Sequence, residues 1–322
     1  MSAWSTCAAS PSLALLKYWG KLDGEADLPA TPSLAVSLGG LWTHTAARIA
    51  DGDSVTIRGE LQEPERFAAF FDRLRAALGV SDHFEARSVN SFPTASGLAS
   101  SSSGFAALAG ACVQAAGREL TLEGLSDVAR TGSVSAARAV FGGFTLLPAG
   151  ARAARQVHGP EHWPDLRIVV AVTEKGPKPV GSRAAMEETR ARSPYYRPWV
   201  AESQRLLPQA LQALERRDLE MLGEAMHWSY SLMHAAILAS RPPILFWVPA
   251  TVAVIRACEN LRGKGVGAWE TVDAGPQVKI LCEEKDVEVV SDTARQCSPG
   301  ITTVTCAVGA GLAFGSVEEP RF

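Results

Sequence analysis

The sequence predicts an α+β protein built in two parts. The first third alternates short apolar runs with turn residues, which is typical of β-strands, whereas residues 180–262 mostly space their apolar side chains as helices do. Strand-like runs return after residue 265 and enclose one further helix. Strand-rich and helix-rich stretches that are segregated in this way favour an α+β architecture.

The predicted elements are short and follow one another closely. Asp51-Gly52-Asp53 predicts a hairpin turn between strands at 44–49 and 54–57, and Gly79 is placed to end a helix over 63–78. The other predicted strands are 33–38, 84–89, 142–147, 166–172, 266–272, 277–282 and 301–307. The other predicted helices are 105–116, 122–130, 133–141 and 285–296, and a loop is expected at 151–166.

A domain boundary is expected at the segment Lys175-Gly176-Pro177-Lys178-Pro179, which lies between the last strand of the first half and the helical stretch. Proline and glycine in a polar segment are typical of linkers between domains. We therefore expect an N-terminal domain of residues 1–180 and a C-terminal domain of residues 181–322.

Composition and charge exclude several classes of protein. With 322 residues, of which 47% are hydrophobic and 20% charged, the chain can bury a large core. The net charge of -3 does not support nucleic-acid binding, and no apolar run has the length of a membrane span. The six cysteines are scattered, without the spacing of a zinc site or a disulfide framework. We expect a protein of the reducing cytoplasm that binds neither nucleic acid nor membrane.

The strongest local signal is the segment 93–104, where Gly97, Leu98 and Ala99 precede four serines and an apolar helix. Small residues let a ligand approach the backbone, and the free N–H groups and positive dipole end of a helix attract phosphate. The segment lacks the Gly-Lys-Ser/Thr of a Walker A loop, and a flexible connector is the alternative explanation. We expect residues 97–102 to bind phosphate.

Two other segments combine cations with hydroxyl groups. Lys17-Tyr18-Trp19-Gly20-Lys21 suits a polyanionic substrate, although such residues at a strand end are also common on surfaces. In Gly132-Ser133-Val134-Ser135-Ala136-Ala137-Arg138, a helix start would bring two hydroxyls, free N–H groups and a guanidinium together around a carboxylate or phosphate. A capped helix with a surface arginine explains the second pattern equally well.

Asp273 is a lone acid that follows an apolar strand, in Thr271-Val272-Asp273-Ala274-Gly275-Pro276. On its own this pattern is more typical of a turn residue that caps its own backbone than of a catalytic acid. His234 is expected to be a helix histidine with a hydrogen-bond partner rather than a catalyst. No Ser-His-Asp arrangement can be assigned from position alone.

Taken in order, these segments resemble the mevalonate diphosphate decarboxylases, enzymes of isoprenoid synthesis in the GHMP kinase superfamily. The Gly/Ser loop marks the superfamily, and the KYWGK, SxSxxR and DAGP segments mark this branch. The resemblance covers nearly the whole chain, including residues 15–21, 28–34, 91–100, 133–143, 181–183, 233–235 and 273–276.

The resemblance implies a two-domain GHMP kinase fold, with a ribosomal-protein-S5-like N-terminal domain that binds ATP and a ferredoxin-like C-terminal domain. The active site would lie in the cleft between them, and the protein would be a homodimer. The implied reaction uses ATP and Mg²⁺ to phosphorylate the tertiary 3-hydroxyl of mevalonate 5-diphosphate. Loss of phosphate and carbon dioxide would then give isopentenyl diphosphate.

The same resemblance implies a role for each candidate residue. Asp273 would orient the 3-hydroxyl and accept its proton, Lys17 would hold Asp273 ionised, and Arg138 would position the substrate carboxylate. The substrate-binding residues would be Tyr18, Lys21, Ser133, Ser135 and Arg183. The ATP-binding residues would be Gly97, Leu98, Ala99, Ser100, Ser101, Ser102 and Ser182. No metal ligand is assigned.

The chain departs from the family pattern at Leu13, Val134 and Ala137, where the family usually has Asn, Gly and Cys. The stretch that usually reads Pro-Thr-Asn-Ser-Ser is here Pro29-Ala30-Thr31-Pro32-Ser33. Pro32 and Val134 are expected on substrate walls, so the number of phosphates on the substrate tail stays open. The alternatives are a decarboxylase of the 5-monophosphate, a 3-kinase that does not decarboxylate, and a non-catalytic ligand sensor of the same fold. The presence of both Lys17 and Asp273 favours the decarboxylase.

Overall fold

The structure, a computed structural model, describes residues 3–22, 28–92, 100–174, 176 and 180–317. Its strands are β1 (Trp4–Ala9), β2 (Ser12–Ala14), β3 (Ser33–Ser37), β4 (Thr43–Ala50), β5 (Ser54–Ile57), β6 (Glu60–Leu61), β7 (His83–Asn90), β8 (Phe144–Leu147), β9 (Arg155–His158), β10 (Leu166–Val172), β11 (Trp269–Val272), β12 (Val278–Glu283), β13 (Thr302–Ala307) and β14 (Ala313–Val317). Its helices are α1 (Ala68–Leu78), α2 (Ser100–Ala115), α3 (Leu122–Gly132), α4 (Ala136–Ala139), α5 (Ser182–Arg192), α6 (Tyr196–Arg216), α7 (Leu219–Leu238), α8 (Pro249–Arg262) and α9 (Val287–Gln296). Within the described ranges, no helix has both the length and the apolar character needed to cross a membrane.

The first sheet has the strand order β14-β1-β4-β7-β5-β6. Helix α2 packs across β1, β4 and β7, and α1 and α3 pack beside it. Helix α1 buries Phe70, Phe71 and Leu74, as its helical spacing predicts, and ends at Gly79, whose φ of 64° is left-handed. Most residues of α2 that face the core are small, with four alanines, two serines and one glycine among them, which lets this helix lie close to the strands.

The prediction of a hairpin at Asp51-Gly52-Asp53 is wrong. β4 and β5 are not neighbours, because β7 lies between them and pairs antiparallel with β4 and parallel with β5. The Asp53 carboxylate instead accepts a hydrogen bond from the Phe84 backbone N–H at 3.0 Å and forms an ion pair with Arg75 at 2.7 Å. Turn residues predict that the chain changes direction, but not which strand will lie beside it.

Two four-stranded sheets, with orders β2-β3-β8-β9 and β11-β12-β10-β13, complete the fold. One hydrophobic cluster, which includes Leu34, Phe144 and Ile168, joins both sheets to α6 and α7. Helices α8 and α9 pack against β12 and its neighbours, around a cluster of their own. β10 pairs only with strands that follow residue 180, and β14 returns to β1. The domain division at residue 180 stays a prediction.

Other expectations differ from the structure in their bounds. The expected loop at 151–166 contains β9, an edge strand of four residues in which Val157 is the one apolar side chain and the other three are polar. The helix expected at 133–141 is reduced to the four residues of α4, and α1 begins at Ala68 after a 3₁₀ turn over Pro64–Arg66. The strands β1, β2, β6 and β14 were not predicted. The remaining predicted strands and helices are present within a few residues of their expected bounds.

Candidate active site

A cavity of about 710 Å³ brings together segments from both halves of the chain. The predicted residues that line it are Lys17, Tyr18, Lys21, Ser101, Ser133, Ser135, Arg138, Ser182, Arg183 and Asp273. Ser100 lines a neighbouring cavity, and Ser102 is fully buried, with its hydroxyl accepting the Ser12 backbone N–H at 3.3 Å. Gly97, Leu98 and Ala99 lie outside the described residues.

Asp273 lies directly after β11 and is held by two lysines. Its Oδ1 is 2.6 Å from Nζ of Lys17, and its Oδ2 is 2.9 Å from Nζ of Lys279. Burial alone would raise the pKa of Asp273, but the two ammonium charges outweigh this effect and hold the pKa well below its usual range. The carboxylate is therefore ionised at every pH at which the protein would be assayed.

Lys17 is 2% exposed, and its Nζ also donates to the carbonyl of Ala14 at 2.8 Å. Burial lowers the pKa of Lys17 to about 8, although the carboxylate of Asp273 acts in the opposite direction. An ammonium group with this pKa is mostly charged at neutral pH and loses its proton in mildly alkaline solution.

Arg138 reaches the same cavity from α4 and is 3% exposed. Its guanidinium donates to the hydroxyl of Ser33 at 2.5 Å and to that of Ser12 at 3.4 Å, on strands β3 and β2. Burial lowers its pKa, but a guanidinium remains charged in neutral solution. Within the described residues no carboxylate forms an ion pair with Arg138, so its charge can be neutralised by an anionic ligand.

Helix α7 holds both sides of the Lys17–Asp273 pair. The hydroxyl of Ser229 accepts the Lys17 backbone N–H at 2.8 Å. Five residues further along the helix, Nε2 of His234 donates to the carbonyl of Val272, the neighbour of Asp273, at 3.3 Å. Burial lowers the pKa of His234 to about 4, so the ring is neutral. As expected from the sequence, His234 is a helix histidine with a hydrogen-bond partner.

Two further parts of the wall present small polar groups. The hydroxyls of Ser133 and Ser135 lie 3.0 Å apart, at the turn before α4. Ser182 and Arg183 lie in the first turn of α5 and also line the cavity, where the positive end of the helix dipole favours anions. This part of the cavity is therefore suited to phosphate oxygens.

A second cavity of about 360 Å³ adjoins the first. Ser100 and Ser101, in the first turn of α2, lie in its wall, and Arg66, Ser101 and Phe105 line both cavities. An elongated ligand can therefore extend from one cavity into the other past the start of α2.

The departures from the family pattern fall mostly outside the cavity. Leu13 and Pro32 are buried and are not among the described residues that line it. Val134 does line it, but this side chain is 6% exposed and packs in the hydrophobic cluster of the first sheet. Pro32 was expected on a substrate wall, but its side chain does not contribute to the cavity wall.

Three residues of the site were not predicted from the sequence: Lys279, which touches Asp273, and the pair Glu65 and Arg66 in the cavity wall. The signal for Lys279 was present, because a lysine inside the apolar run Val278-Lys279-Ile280-Leu281 is seldom buried without a charged partner. Glu65 and Arg66 lie in a 3₁₀ turn with no buried residue, and nothing in the local pattern distinguishes them from surface residues.

Both halves of the chain match models of known protein families. Residues 9–157 match the family described as "Diphosphomevalonate decarboxylase-like N-terminal domain", and residues 168–312 match "Mevalonate 5-diphosphate decarboxylase C-terminal domain". The diphosphomevalonate decarboxylase of Schizosaccharomyces pombe is 33% identical over 321 residues, which cover 89% of this chain and 81% of that protein. The chain belongs to the diphosphomevalonate decarboxylase family. The resemblance stated from the sequence is confirmed.

Solved structures of diphosphomevalonate decarboxylases share the whole fold. The mevalonate diphosphate decarboxylase of Staphylococcus aureus superposes with a TM-score of 0.91 at 31% identity, over 98% of both chains. A structure described as MDDEF in complex with MVAPP, AMPPCP and magnesium has a TM-score of 0.90 at 31% identity, over 98% of this chain and 99% of that one. The predicted two-domain α+β fold of GHMP kinase type is confirmed, and the chain is an enzyme of the decarboxylase class.

Proposed function

We propose that this protein catalyses the ATP-dependent decarboxylation of mevalonate 5-diphosphate to isopentenyl diphosphate, with release of ADP, phosphate and carbon dioxide. The observation that carries the proposal is the Asp273 carboxylate, held between two ammonium groups in the same cavity as Arg138. The Asp273 carboxylate can accept a hydrogen bond from the 3-hydroxyl of this substrate, and the buried guanidinium of Arg138 can bind its carboxylate. These are the two substrate groups that react.

The substrate would lie with its carboxylate on Arg138 and its diphosphate on the surrounding hydroxyls and cations. Ser12 and Ser33 fix the guanidinium, so its remaining N–H groups can form a two-point contact with a carboxylate. The other end would be bound by Tyr18, Lys21, Ser133, Ser135 and Arg183, which line the same cavity. These five residues offer more hydrogen-bond donors than a monophosphate needs, and their number favours a diphosphate.

ATP would lie across the first turn of α2. Ser100, Ser101 and the N–H groups at this helix end are suited to its phosphates, and Gly97, Leu98, Ala99 and Ser102 are proposed with them. The adjoining cavity has apolar walls from Val55, Ile57 and Leu108, which suit a flat purine ring. Ser182, in the first turn of α5, is proposed to contact the terminal phosphate. The solved structure with AMPPCP and magnesium supports this use of the fold.

Mg²⁺ fits the donors present as a counter-ion of ATP. No group of three or more His, Cys, Asp or Glu side chains in the described part of the chain forms a metal cage. The Ser101 hydroxyl and the Glu65 carboxylate do line the cavity, and Mg²⁺ prefers one or two such protein oxygens together with phosphates and water. When bound, the ion neutralises charge on the phosphate oxygens.

In the first step Asp273 would accept a hydrogen bond from the 3-hydroxyl and point its oxygen at the γ-phosphorus. The strongly lowered pKa makes Asp273 a weak base, so it would mainly orient the hydroxyl and take the proton late. This is sufficient for phosphoryl transfer, in which bond breaking runs ahead of attack. The ammonium of Lys17 would balance the negative charge that collects around the transferred group.

In the second step the C3–O bond breaks and phosphate leaves with the electron pair. The C1–C2 bond then breaks, its electrons form the double bond between C2 and C3, and C1 departs as carbon dioxide. Arg138 would hold the carboxylate in line until it leaves.

The test is an assay of carbon dioxide release with ATP and Mg²⁺ from mevalonate, its 5-phosphate and its 5-diphosphate. We expect rapid release from the diphosphate alone, with ADP and phosphate formed in equal amounts to carbon dioxide. Preference for the 5-phosphate would make the enzyme a monophosphate decarboxylase. Formation of ADP and a 3-phosphorylated product without carbon dioxide would make it a kinase. We further propose a cytoplasmic homodimer, which cell fractionation and sedimentation can test.

A further inference from the structure

Lys279 is a buried lysine in the middle of an apolar strand. It lies in β12 between Val278 and Ile280 and is 2% exposed. Its Nζ lies 2.9 Å from Oδ2 of Asp273, while Lys17 occupies Oδ1. Each oxygen of the carboxylate therefore has its own ammonium donor.

The two lysines reach Asp273 from different places. Among the described residues that line the cavity, Lys17 is present and Lys279 is not. Lys279 pairs with Thr271 across the β11–β12 hairpin, so it belongs to the same hairpin as Asp273. A group placed behind the carboxylate cannot contact the substrate and can act only through Asp273.

We propose that Lys279 is a positioning residue, which fixes the rotation of the Asp273 carboxylate so that this group and Lys17 present one geometry to the substrate. A carboxylate bonded at one oxygen can rotate about its Cβ–Cγ bond, whereas one bonded at both oxygens cannot rotate without breaking a contact. Fixed orientation of a reacting group is worth a large part of the rate in enzymes. The inference rests on the proposed function, which makes Asp273 the group that contacts the hydroxyl.

The charge of Lys279 also acts on Lys17. Burial is the largest effect on the pKa of Lys17 and lowers it; Asp273 raises it, and Lys279 and then Arg138 lower it. His234 from α7 also interacts with this pair, and Tyr18 interacts with Arg138. His234, with a pKa lowered to about 4, stays neutral while Lys17 titrates. Loss of the Lys279 charge would therefore raise the pKa of Lys17.

The test compares full-length wild-type and Lys279→Met enzyme in carbon dioxide release across the neutral and alkaline range. Wild-type kcat/KM is expected to fall as pH rises through about 8, because Lys17 loses its proton there. In Lys279→Met we expect kcat to fall about 10-fold with KM little changed, because orientation rather than binding is lost. We also expect the alkaline limb, which is the fall of kcat/KM with rising pH, to move to higher pH, because the pKa of Lys17 is raised.

Lys285→Met is the matched control, because Lys285 is exposed, lies just after β12 and pairs with Glu283 instead. It removes the same charge and should change neither kcat nor the alkaline limb. Two results for Lys279→Met would overturn the proposal. One is an unchanged kcat. The other is a lower kcat with the alkaline fall of kcat/KM at the wild-type pH, which is the result expected of a lysine with a purely structural role.

If Lys279→Met does not fold, the Lys279→Arg variant tests the positioning role instead. It keeps the charge but changes the donor geometry, so kcat should fall while the alkaline limb stays in place. Wild-type kcat in that variant would overturn the positioning role. A wild-type enzyme that releases no carbon dioxide would refute the proposed function instead, so the two failures are distinguishable.

Discussion

Asp273 shows how a single residue can have either of two roles. The sequence alone favours a turn residue that caps its own backbone, and the turn does contain a backbone bond from the Gly275 N–H to the Asp273 carbonyl at 2.8 Å. The side chain, however, bonds to Lys17 and Lys279 rather than to the turn. An aspartate that only formed a turn would not require two buried lysines, since each costs free energy to bury.

Asp273→Asn is expected to lower kcat roughly 10³-fold, because the amide can neither hold the hydroxyl as a charged acceptor nor take its proton. It also leaves two buried ammonium groups without a counter-charge, which should cost roughly 3–5 kcal/mol of unfolding free energy. Turnover and thermal melting of the same preparation measure both effects.

The double variant Asp273→Asn with Lys279→Met separates the two effects. It removes one unpaired ammonium together with the acid, so much of the lost stability should return while activity stays lost. An Asp273→Asn protein that melts near the wild-type temperature with full turnover would mean that the carboxylate serves the turn alone.

Helix α7 is the element that keeps Lys17 and Asp273 together. It contacts the Lys17 backbone through Ser229 and the strand before Asp273 through His234. It also anchors β11 through Glu270, a fully buried acid that accepts hydrogen bonds from Tyr230 at 2.8 Å and Arg262 at 2.5 Å. Burial would raise the pKa of Glu270, but its hydrogen bonds to His227 and Arg262 outweigh this and keep it low. One helix thus sets the distance between two segments far apart in the chain.

Ser229→Ala is expected to lower the unfolding free energy by about 1–3 kcal/mol, because it leaves the buried Lys17 N–H without its acceptor. We expect kcat to fall about 10-fold as well, since the displaced backbone moves Nζ of Lys17 relative to Asp273. Chemical denaturation and steady-state kinetics give the two numbers.

Ser203→Ala provides the comparison. Ser203 is a buried serine of α6 whose hydroxyl donates to the carbonyl of Val200 at 2.9 Å, within its own helix. Its loss leaves no isolated buried group, so stability should change by less than about 1 kcal/mol and kcat not at all. Equal effects of the two substitutions would remove α7 from the account of the active site.

At the scale of the whole molecule, the two halves of the chain exchange strands. Strand β10 belongs to the first 180 residues, yet both of its neighbours, β12 and β13, come later. In the opposite direction, β14 pairs with β1 at the edge of the first sheet. The cavity is built from the same two halves, with Lys17 and Arg138 on one side and Asp273 on the other.

A fragment of residues 1–180 is expected to aggregate when expressed alone. It exposes β10, an almost entirely apolar and buried strand, with unpaired backbone groups on both edges. Co-expression with residues 181–322 should recover soluble material, which size-exclusion chromatography and a cooperative melt can detect. A monomeric 1–180 fragment with its own cooperative melt would show instead that the predicted division marks an independent folding unit.

Much of this arrangement follows from local sequence. The strand at Leu166–Val172 was predicted with its observed bounds, because a run of β-branched and apolar residues is a short-range signal. Lys17, Arg138 and Asp273 were chosen from their segments and from the family resemblance, and the structure places all three in one cavity. Edge strands such as β9 could not be predicted, since their polar side chains have no one-sided apolar pattern.

The sequence by itself determined which residues could do chemistry and which segments would form most helices and strands. Only the tertiary structure decided that β7 separates β4 from β5 and that Lys279 occupies the second carboxylate oxygen. The contact between Lys17 and Asp273, which lie 256 residues apart, was expected from the family resemblance and not from any local pattern. The physical reason is range. Backbone preferences and apolar periodicity act over a few neighbouring residues, whereas strand pairing and burial depend on contacts between distant parts of the chain. The charge state of a buried group depends on those same contacts, and so does the chemistry it can perform.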